Sequence, residues 1–413
     1  MVEQRIPIPV EEAITRVKNR TKRNPIESVP LEMADGRVLA EDLIADHPIP
    51  SFDRSAFDGF AIRAEDTAQA SFENPITLKV VDDIGAGAVS DKTLGEKEAI
   101  RIMTGAQIPS GTTAILALEL SETFENTGET WVRVNRPVAR NSHISRQGED
   151  TDQGEIIARK GRRITAGEMS MLATFGYAQV NVYRQPVVGI YATGTELLPV
   201  DAPLTPGKIR NSNSYMLQSQ VRALGAIPKY YGILPDDYDL CLQKVRDTLE
   251  EVDFLMTTGG ASVGDFDYVQ DIMRELDAHV LFNKVSMRPG SVTTVSTVGD
   301  KWLFGLSGNP AACYVGFELF ARPVLKTALG SEELELPRSK AVLAHDLKKP
   351  NRFTRFVRAK ASYNGSQVTV QSVGLDKSGV ASALVEANVL LIVPPNQEGY
   401  KAGEELDVMW LDR

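Results

Sequence analysis

Apolar residues recur along this chain in several rhythms, and the changes of rhythm mark its parts. After Pro9, residues Val10, Ile14 and Val17 return at helical spacing, which predicts a short amphipathic helix opened by proline. LEMADGRVLAEDL (31–43) follows with mixed helical character. From Pro48 the texture changes to short β-prone pieces, ITLKVVDDI, AIRIMTG, AILAL and TWVRVNRPV, broken by Gly, Pro, Asn and Asp. A separate β-rich domain over about residues 50–140 is the natural reading. Between 141 and 184 the pattern is mixed again: RQGEDTDQGEIIARKG, a capping box from Thr165 to Glu168, a helix to Thr174, Gly176 as its stop, and a strand at VNVY.

From Pro186 to about Gly330 strand and helix alternate: VVGIYAT, a helix after Asn211, IPKYYGIL, a helix from Tyr238 to Glu251, an apolar strand at Phe254 to Met256, and a long helix from Pro310 to Leu329. Such alternation predicts a mainly parallel sheet covered by helices on both faces, with ligands outside the carboxyl ends of its strands. Thr193 to Glu196, Asp236, Thr258 to Asp267 and Ser307 to Pro310 all fall at those ends. Residues 335–413 revert to short strands, VTVQSV, VLLIVPP and ELDVMWL, joined by turns such as Tyr363 to Gly365, and predict a small β-barrel.

Composition narrows the function. A chain of 413 residues exceeds one ordinary core and implies roughly three or four domains. The net charge of −10 opposes a broad nucleic-acid surface, so any anionic ligand must meet a local basic cluster. Two cysteines and four scattered histidines give neither a disulfide framework nor a zinc site. No apolar run reaches membrane-span length and the N-terminal stretch does not read as a secretory leader, so a cytoplasmic location and no membrane partner are expected.

Candidate chemistry concentrates in loops. In VDFLMTTGGASVGDFD (252–267), Gly259 and Gly260 remove the Cβ atoms that keep a ligand off the backbone, and Gly264 permits a turn into a helix near Asp265. Ser262 and the N–H groups there suit an anion, with Asp265 and Asp267 beside it for a cation; the same residues also suit a plain helix cap. Glu196 in TGTEL can bind a metal, accept a ribose hydroxyl or solvate its loop, and Asp236 with Asp237 in PDD is equally a turn. Lys284 and Arg288, four apart in NKVSMRPGS, form a basic pair able to clamp an oxyanion. Ser307, Gly308, Asn309 and Pro310 open a helix with free donors. Asp53 and Asp58 in SFDRSAFDGFA, Thr104 and Gly105 in RIMTGA, and Glu149 and Asp150 in RQGED form a second polar loop group. In RFTRFVR, Arg352, Arg355 and Arg358 alternate with Phe353 and Phe356 as an amphipathic strand would.

With PSFDRSAFDGFAI, RIMTGAQIPSGT, RQGED, TGTEL, GILPDD, TTGGASVGDFDY, MRPG, GLSGNP and ANVLLIVPP in place, the chain resembles the molybdopterin molybdenumtransferase family, known as MoeA in bacteria and as the gephyrin E domain in animals. The resemblance implies a multidomain α/β plus β protein. Residues 1–50 with 141–184 would form a discontinuous mixed α/β domain, 51–140 an inserted β-rich domain, 185–330 a doubly wound, MogA-like molybdopterin-binding domain and 331–413 a C-terminal β-barrel. It implies molybdate insertion into adenylylated molybdopterin with release of AMP and with Mg2+. It also implies a homodimer, with contacts to molybdopterin adenylyltransferase and to molybdoenzyme acceptors. Carried over position by position, the site would comprise Asp58, Thr104, Asp150, Glu196, Asp236, Asp267, Lys284 and Arg288, with Arg352 and Ser378 from the last domain and Glu196, Asp236 and Asp267 on the metal. Two positions depart from the family pattern: Ser291 stands where many members have lysine, and Ser307 where proline is usual. A pterin-nucleotide scaffold without turnover and a molybdopterin adenylyltransferase are the alternatives.

Overall fold

The structure, a computed structural model, describes residues 6–259 and 268–412. They fall into two compact units: one holds Asp42–Arg159 and Met171–Tyr177, and the other holds the preceding residues, Lys160–Ser170 and everything from Ala178 onward.

In the larger unit the predicted alternation builds a six-stranded sheet. Its order is Ile227–Ile233, Val187–Ala192, Phe254–Thr258, Lys301–Leu306, Thr294–Val298, His279–Phe282. The first four strands run parallel and the last two add an antiparallel edge. The Phe254–Thr258 strand is buried along its whole length. Its alternate side chains feed two cores, as a pleated strand covered on both faces must. Phe254 and Met256 pack with Val10, Ala13, Ile14 and Val17 of the Val10–Arg20 helix, while Leu255 packs with Val245 and Leu249 of the Tyr238–Glu251 helix. At the strand's start Asp253 is chelated by both terminal nitrogens of Arg184 at 2.8 and 3.0 Å and accepts the Val187 N–H at 2.8 Å. Burial pushes that carboxyl up, and the Arg184 bonds outweigh it, holding Asp253 below the usual range.

Two expectations need correction. The run 31–43 is not helical beyond one 3-10 turn, Leu31–Met33. Gly36 sits at φ +74°, and the N–H groups of Leu39 and Ala40 bond outward to Arg162 O and Asn181 O, which takes their donors out of any helix. The helix expected from Pro310 to Leu329 is α-helical over Pro310–Gly316 and Arg322–Ala328 but opens into a π turn over Phe317–Ala321. Pro323 has no N–H to give back to that turn, and the buried Glu318 there takes Gln220 Nε2 at 2.7 Å and Arg322 Nε at 2.5 Å.

The C-terminal strands close on themselves. The Thr354–Asn364 strand pairs with both Gln367–Ser372 and Val389–Val393, and the ring is completed through Arg338–Leu343 and Glu405–Trp410. The result is a five-stranded barrel filled by Val357, Ala359, Ala361, Val370, Leu391 and Val408 among others. One further pairing matters for the site: Met287–Arg288 runs parallel to Thr354 and Arg355, which fastens the Arg288 segment to the barrel strand Thr354–Asn364.

The smaller unit contains the expected β-rich part, a six-stranded sheet in the order Ala114–Ala117, Gly59–Ile62, Glu98–Ile102, Ile76–Ile84, Glu129–Val134, Glu122–Asn126. Phe60, Ile62, Leu78, Leu116 and Val132 fill one face and Ala61, Ile100, Ile102 and Ile115 the other. Among the described residues no helix is long and apolar enough to cross a membrane.

Candidate functional site

The carboxyl ends of the central strands and the mouth of the barrel, both in the larger unit, enclose a cavity of about 1460 Å³. Its sheet side is made by Thr193, Gly194, Glu196, Gly259 and Ser307–Asn309. Here glycine is required by space as well as by conformation. Gly259 lies at φ +95°, and a Cβ on it would stand 2.2 Å from Thr193 O. The loops are laced together from behind by Asn213, a buried residue in the first turn of the Asn213–Ala223 helix, whose Nδ2 donates to Thr258 Oγ1 at 2.9 Å and to Gly308 O at 2.8 Å. Sequence reasoning missed Asn213; the NSNS run opening its helix was the available signal. The Glu196 carboxylate folds over Gly194, is exposed, and accepts no hydrogen bond from the described residues.

The barrel side is basic. Arg352, Lys349 and Lys377 are exposed on it, Ser378 is half-buried, and Arg288 reaches in from the connecting segment with its guanidinium 6.0 Å from the Phe353 ring centre. Ser378 O accepts the Ala311 N–H at 3.1 Å, so the barrel loop is fixed to the helix that Ser307–Pro310 opens. Pro310 itself occupies the first helical position. Arg355 and Arg358 are buried, and both pair with Asp376. The single basic set expected of RFTRFVR is not found: positions three apart fall on opposite sides of a strand, so Arg355 and Arg358 leave it opposite ways, both buried, and Arg352 alone of the three is exposed. Burial lowers the Arg358 guanidinium from its ordinary value, Asp376 acts against that and Arg355 with it.

Not every sequence candidate reaches this cavity. Lys284 is half-buried and does not line it; the chain is extended there, Ile8 N–H bonding Lys284 O at 3.1 Å, so only Arg288 of the basic pair contributes. Asp236 is exposed on the loop after Ile227–Ile233 and is not a lining residue, while its neighbour Asp237 caps the next helix through Leu240 N–H at 2.9 Å. Gly260, Ser262, Gly264, Asp265 and Asp267 lie outside the described residues. Among the described residues no group of three or more acids, histidines or cysteines is arranged to hold a metal ion.

In the smaller unit Asp58 and Thr104 come together. Asp58 Oδ1 accepts the Thr104 N–H at 2.7 Å and its hydroxyl at 2.8 Å, and these two bonds hold the Asp58 carboxyl below its usual range. Asp53 takes the Gln147 N–H at 2.8 Å and pairs with Arg146, joining the SFDRSAFDG and RQGED loops. Asp150 is exposed on the latter, its N–H donating to Ile49 O at 3.0 Å.

A mainly parallel sheet whose strand ends face a cation-rich barrel across a glycine-lined cavity defines a multidomain α/β protein with a cavity whose chemistry suits an anionic ligand. Residues 8–176 match the MoeA N-terminal region (domain I and II), 189–327 a probable molybdopterin binding domain, and 340–411 the MoeA C-terminal region (domain IV). The molybdopterin molybdenumtransferase of Bacillus subtilis strain 168 is 51% identical over 409 residues, 99% of this chain and 95% of that protein. That of Staphylococcus aureus strain COL is 47% identical over 99% of this chain and 97% of its own. A solved molybdopterin biosynthesis MoeA protein from Pyrococcus horikoshii superposes with a TM-score of 0.82 at 29% identity, covering 99% of this chain and all of that one. The chain therefore belongs to the molybdopterin molybdenumtransferase family, transferases of molybdenum cofactor biosynthesis.

Proposed function

We propose that the chain inserts molybdate into adenylylated molybdopterin, releasing AMP, with Mg2+ as the assisting cation. The observation that carries the reading is the polarity of the cavity: among the described residues one unpartnered carboxylate, Glu196, stands with glycine-lined loops on the sheet side, and Arg288, Lys349, Arg352 and Lys377 stand on the other. The nucleotide's phosphates belong against Gly259 and Ser307–Pro310, where small residues leave room for them, with Gly260 and Ser262 assigned to the same task from the sequence. Molybdate belongs against Arg288, Arg352 and Ser378, with Lys284 contributing charge from outside the lining. Mg2+ is commonly held by one or two carboxylates together with substrate phosphates, a donor set that Glu196 fits and that Asp236 and Asp267 would complete. Bound there, it would polarise the phosphoanhydride. Asp58, Thr104 and Asp150 are assigned to the same reaction. The working form on this reading is a cytoplasmic homodimer that meets molybdopterin adenylyltransferase and molybdoenzyme acceptors as partners.

Incubating the protein with adenylylated molybdopterin, Mg2+ and molybdate should yield AMP in proportion to molybdate. Glu196→Gln and Asp267→Asn should each abolish that release while leaving the fold intact, and wild-type turnover in either would refute the assignment. A second reading has one observation in its favour: Ser291, at the family's lysine position, lines the cavity and supplies no charge. Tight binding of the pterin nucleotide with no AMP formed would make the chain a scaffold.

A further inference from the structure

The barrel strand Thr354–Asn364 carries an arginine where its pleat calls for an apolar residue. Val357, Ala359 and Ala361 fill the barrel, and Phe356, on the opposite side, joins the core under the sheet. Arg358 shares the side of Phe356 and is 1% exposed. Enclosing a guanidinium at such a place is costly, and its Nε has no hydrogen-bond partner among the described residues. The rest of the group is spent on a single loop. Nη2 donates to Lys377 O at 2.9 Å and to Leu375 O at 3.2 Å, and Nη1 lies 3.5 Å from Asp376 Oδ1. Asp376 is held in addition by Arg355, whose strand partner is Arg288. The loop so gripped has internal bonds from Lys377 N–H to Leu375 O and from Val380 N–H to Lys377 O, and it presents Lys377 and Ser378 to the cavity.

We propose that Arg358 is a positioning residue: with Asp376 it templates the Leu375–Gly379 loop, and thereby sets Lys377 and Ser378 at the oxyanion end of the cavity. The proposal rests on the reading of the cavity as a molybdate site. A planar fork is needed for this task, because two carbonyls and a carboxylate are engaged by nitrogens in fixed relation, which a lysine ammonium cannot reproduce. Arg358 touches no substrate; it acts through the loop.

The test compares wild type with Arg358→Lys and Asp376→Asn by three measurements: amide hydrogen exchange over residues 374–381, molybdate affinity by calorimetric titration, and steady-state AMP release against molybdate concentration. We expect faster exchange at Lys377 and Val380 in both variants and a molybdate KM raised by roughly tenfold or more in Arg358→Lys, with kcat changed far less. Asp376→Asn keeps the carbonyl bonds, should show the smaller effect, and carries the test if Arg358→Lys does not fold. Wild-type exchange in the loop, or molybdate affinity equal to wild type in a variant whose loop has loosened, overturns the proposal. So does a loss confined to kcat with KM unmoved. A wild-type protein that binds molybdate without releasing AMP would sink the transferase reading alone, since exchange and titration still report on the loop.

Discussion

Gly259→Ala is the sharpest perturbation of the cavity floor, because two separable costs meet at one methyl group. The first is conformational: an alanine at φ +95° pays roughly 1–2 kcal/mol for a left-handed backbone. The second is steric. The new Cβ would stand 2.2 Å from Thr193 O and 2.7 Å from Thr193 Oγ1, and the first of these atoms is backbone, fixed by the Thr193 N–H bond to Thr258 O at 2.9 Å. Opening that contact to an ordinary separation means moving the loop by about 1 Å, at a typical overpacking cost of roughly 1–3 kcal/mol. Gly207→Ala is the matched control, since Gly207 has φ +77° in the same unit with nothing within 4 Å of its Cβ position. Urea unfolding should therefore place Gly259→Ala below Gly207→Ala by about the steric part alone, roughly 1–3 kcal/mol. Because the displaced loop carries Glu196, molybdate-dependent AMP release well below the unfolding range should fall by roughly 100-fold in Gly259→Ala and hardly at all in the control. Equal midpoints for the two variants, or a fully active Gly259→Ala, would refute the reasoning.

Arg288→Met and Arg352→Met should each raise the molybdate KM by roughly 10- to 100-fold, the loss of one charge-assisted contact, read from AMP release at varied molybdate. Thr104→Ala removes one of the two donors that depress the Asp58 carboxyl, so a carbon-13 titration should find that group closer to its ordinary value. The sign follows from the depressed value. Asp58 contributes its stabilisation above the ordinary carboxylate range and loses it as pH falls through its folded value, so the variant should show a shallower acid-side loss of stability. Glu318→Ala strips the buried Arg322 of its nearest carboxylate, leaving Asp412 at 2.7 Å, and should lower stability by roughly 3–5 kcal/mol in urea, whereas an unchanged midpoint would show that the pair is dispensable.

The parts legible in the sequence were those whose pattern is local and periodic. The Tyr238–Glu251 helix begins and ends where its apolar spacing says, with Asp237 as its cap, and the strand Phe254–Thr258 ends where glycine begins. Gly259 and Ser307–Asn309 were legible for the same reason, since a strand that runs into small and polar residues marks a carboxyl-end loop. What escaped depended on partners far along the chain. Nothing near Arg358 in sequence announces Asp376, 18 residues on, so alternation alone sent a charged side chain to solvent. The π turn at Phe317–Ala321 likewise answers to Gln220, 98 residues before Glu318. Lys284 and Arg288, four apart, part company at the cavity: Lys284 lies in the stretch that bonds Ile8, and Arg288, in the strand beside Thr354 and Arg355, is the one that lines it.

The distribution of charge explains how an acidic chain can serve anionic substrates. The sequence carries a net −10, which on its own repels a nucleotide and a tetraoxoanion alike. Inside the cavity the balance reverses. Asp376 is already committed to Arg355 and Arg358, so among the described residues the exposed charged groups that remain in the lining are Glu196 against Arg288, Lys349, Arg352 and Lys377. The unspent negative charge lies on the sheet side and the positive excess on the barrel side. On the proposed chemistry that division is necessary: a nucleotide phosphate approaching Glu196 needs a divalent cation between the two, whereas an oxyanion at the barrel needs none. Arg288 is strand-paired to Arg355, whose guanidinium is held by Asp376, so the backbone that carries Arg288 is fixed without a ligand; on the proposed chemistry, electrostatic preorganisation of this kind would lower the barrier without reorganisation during the reaction.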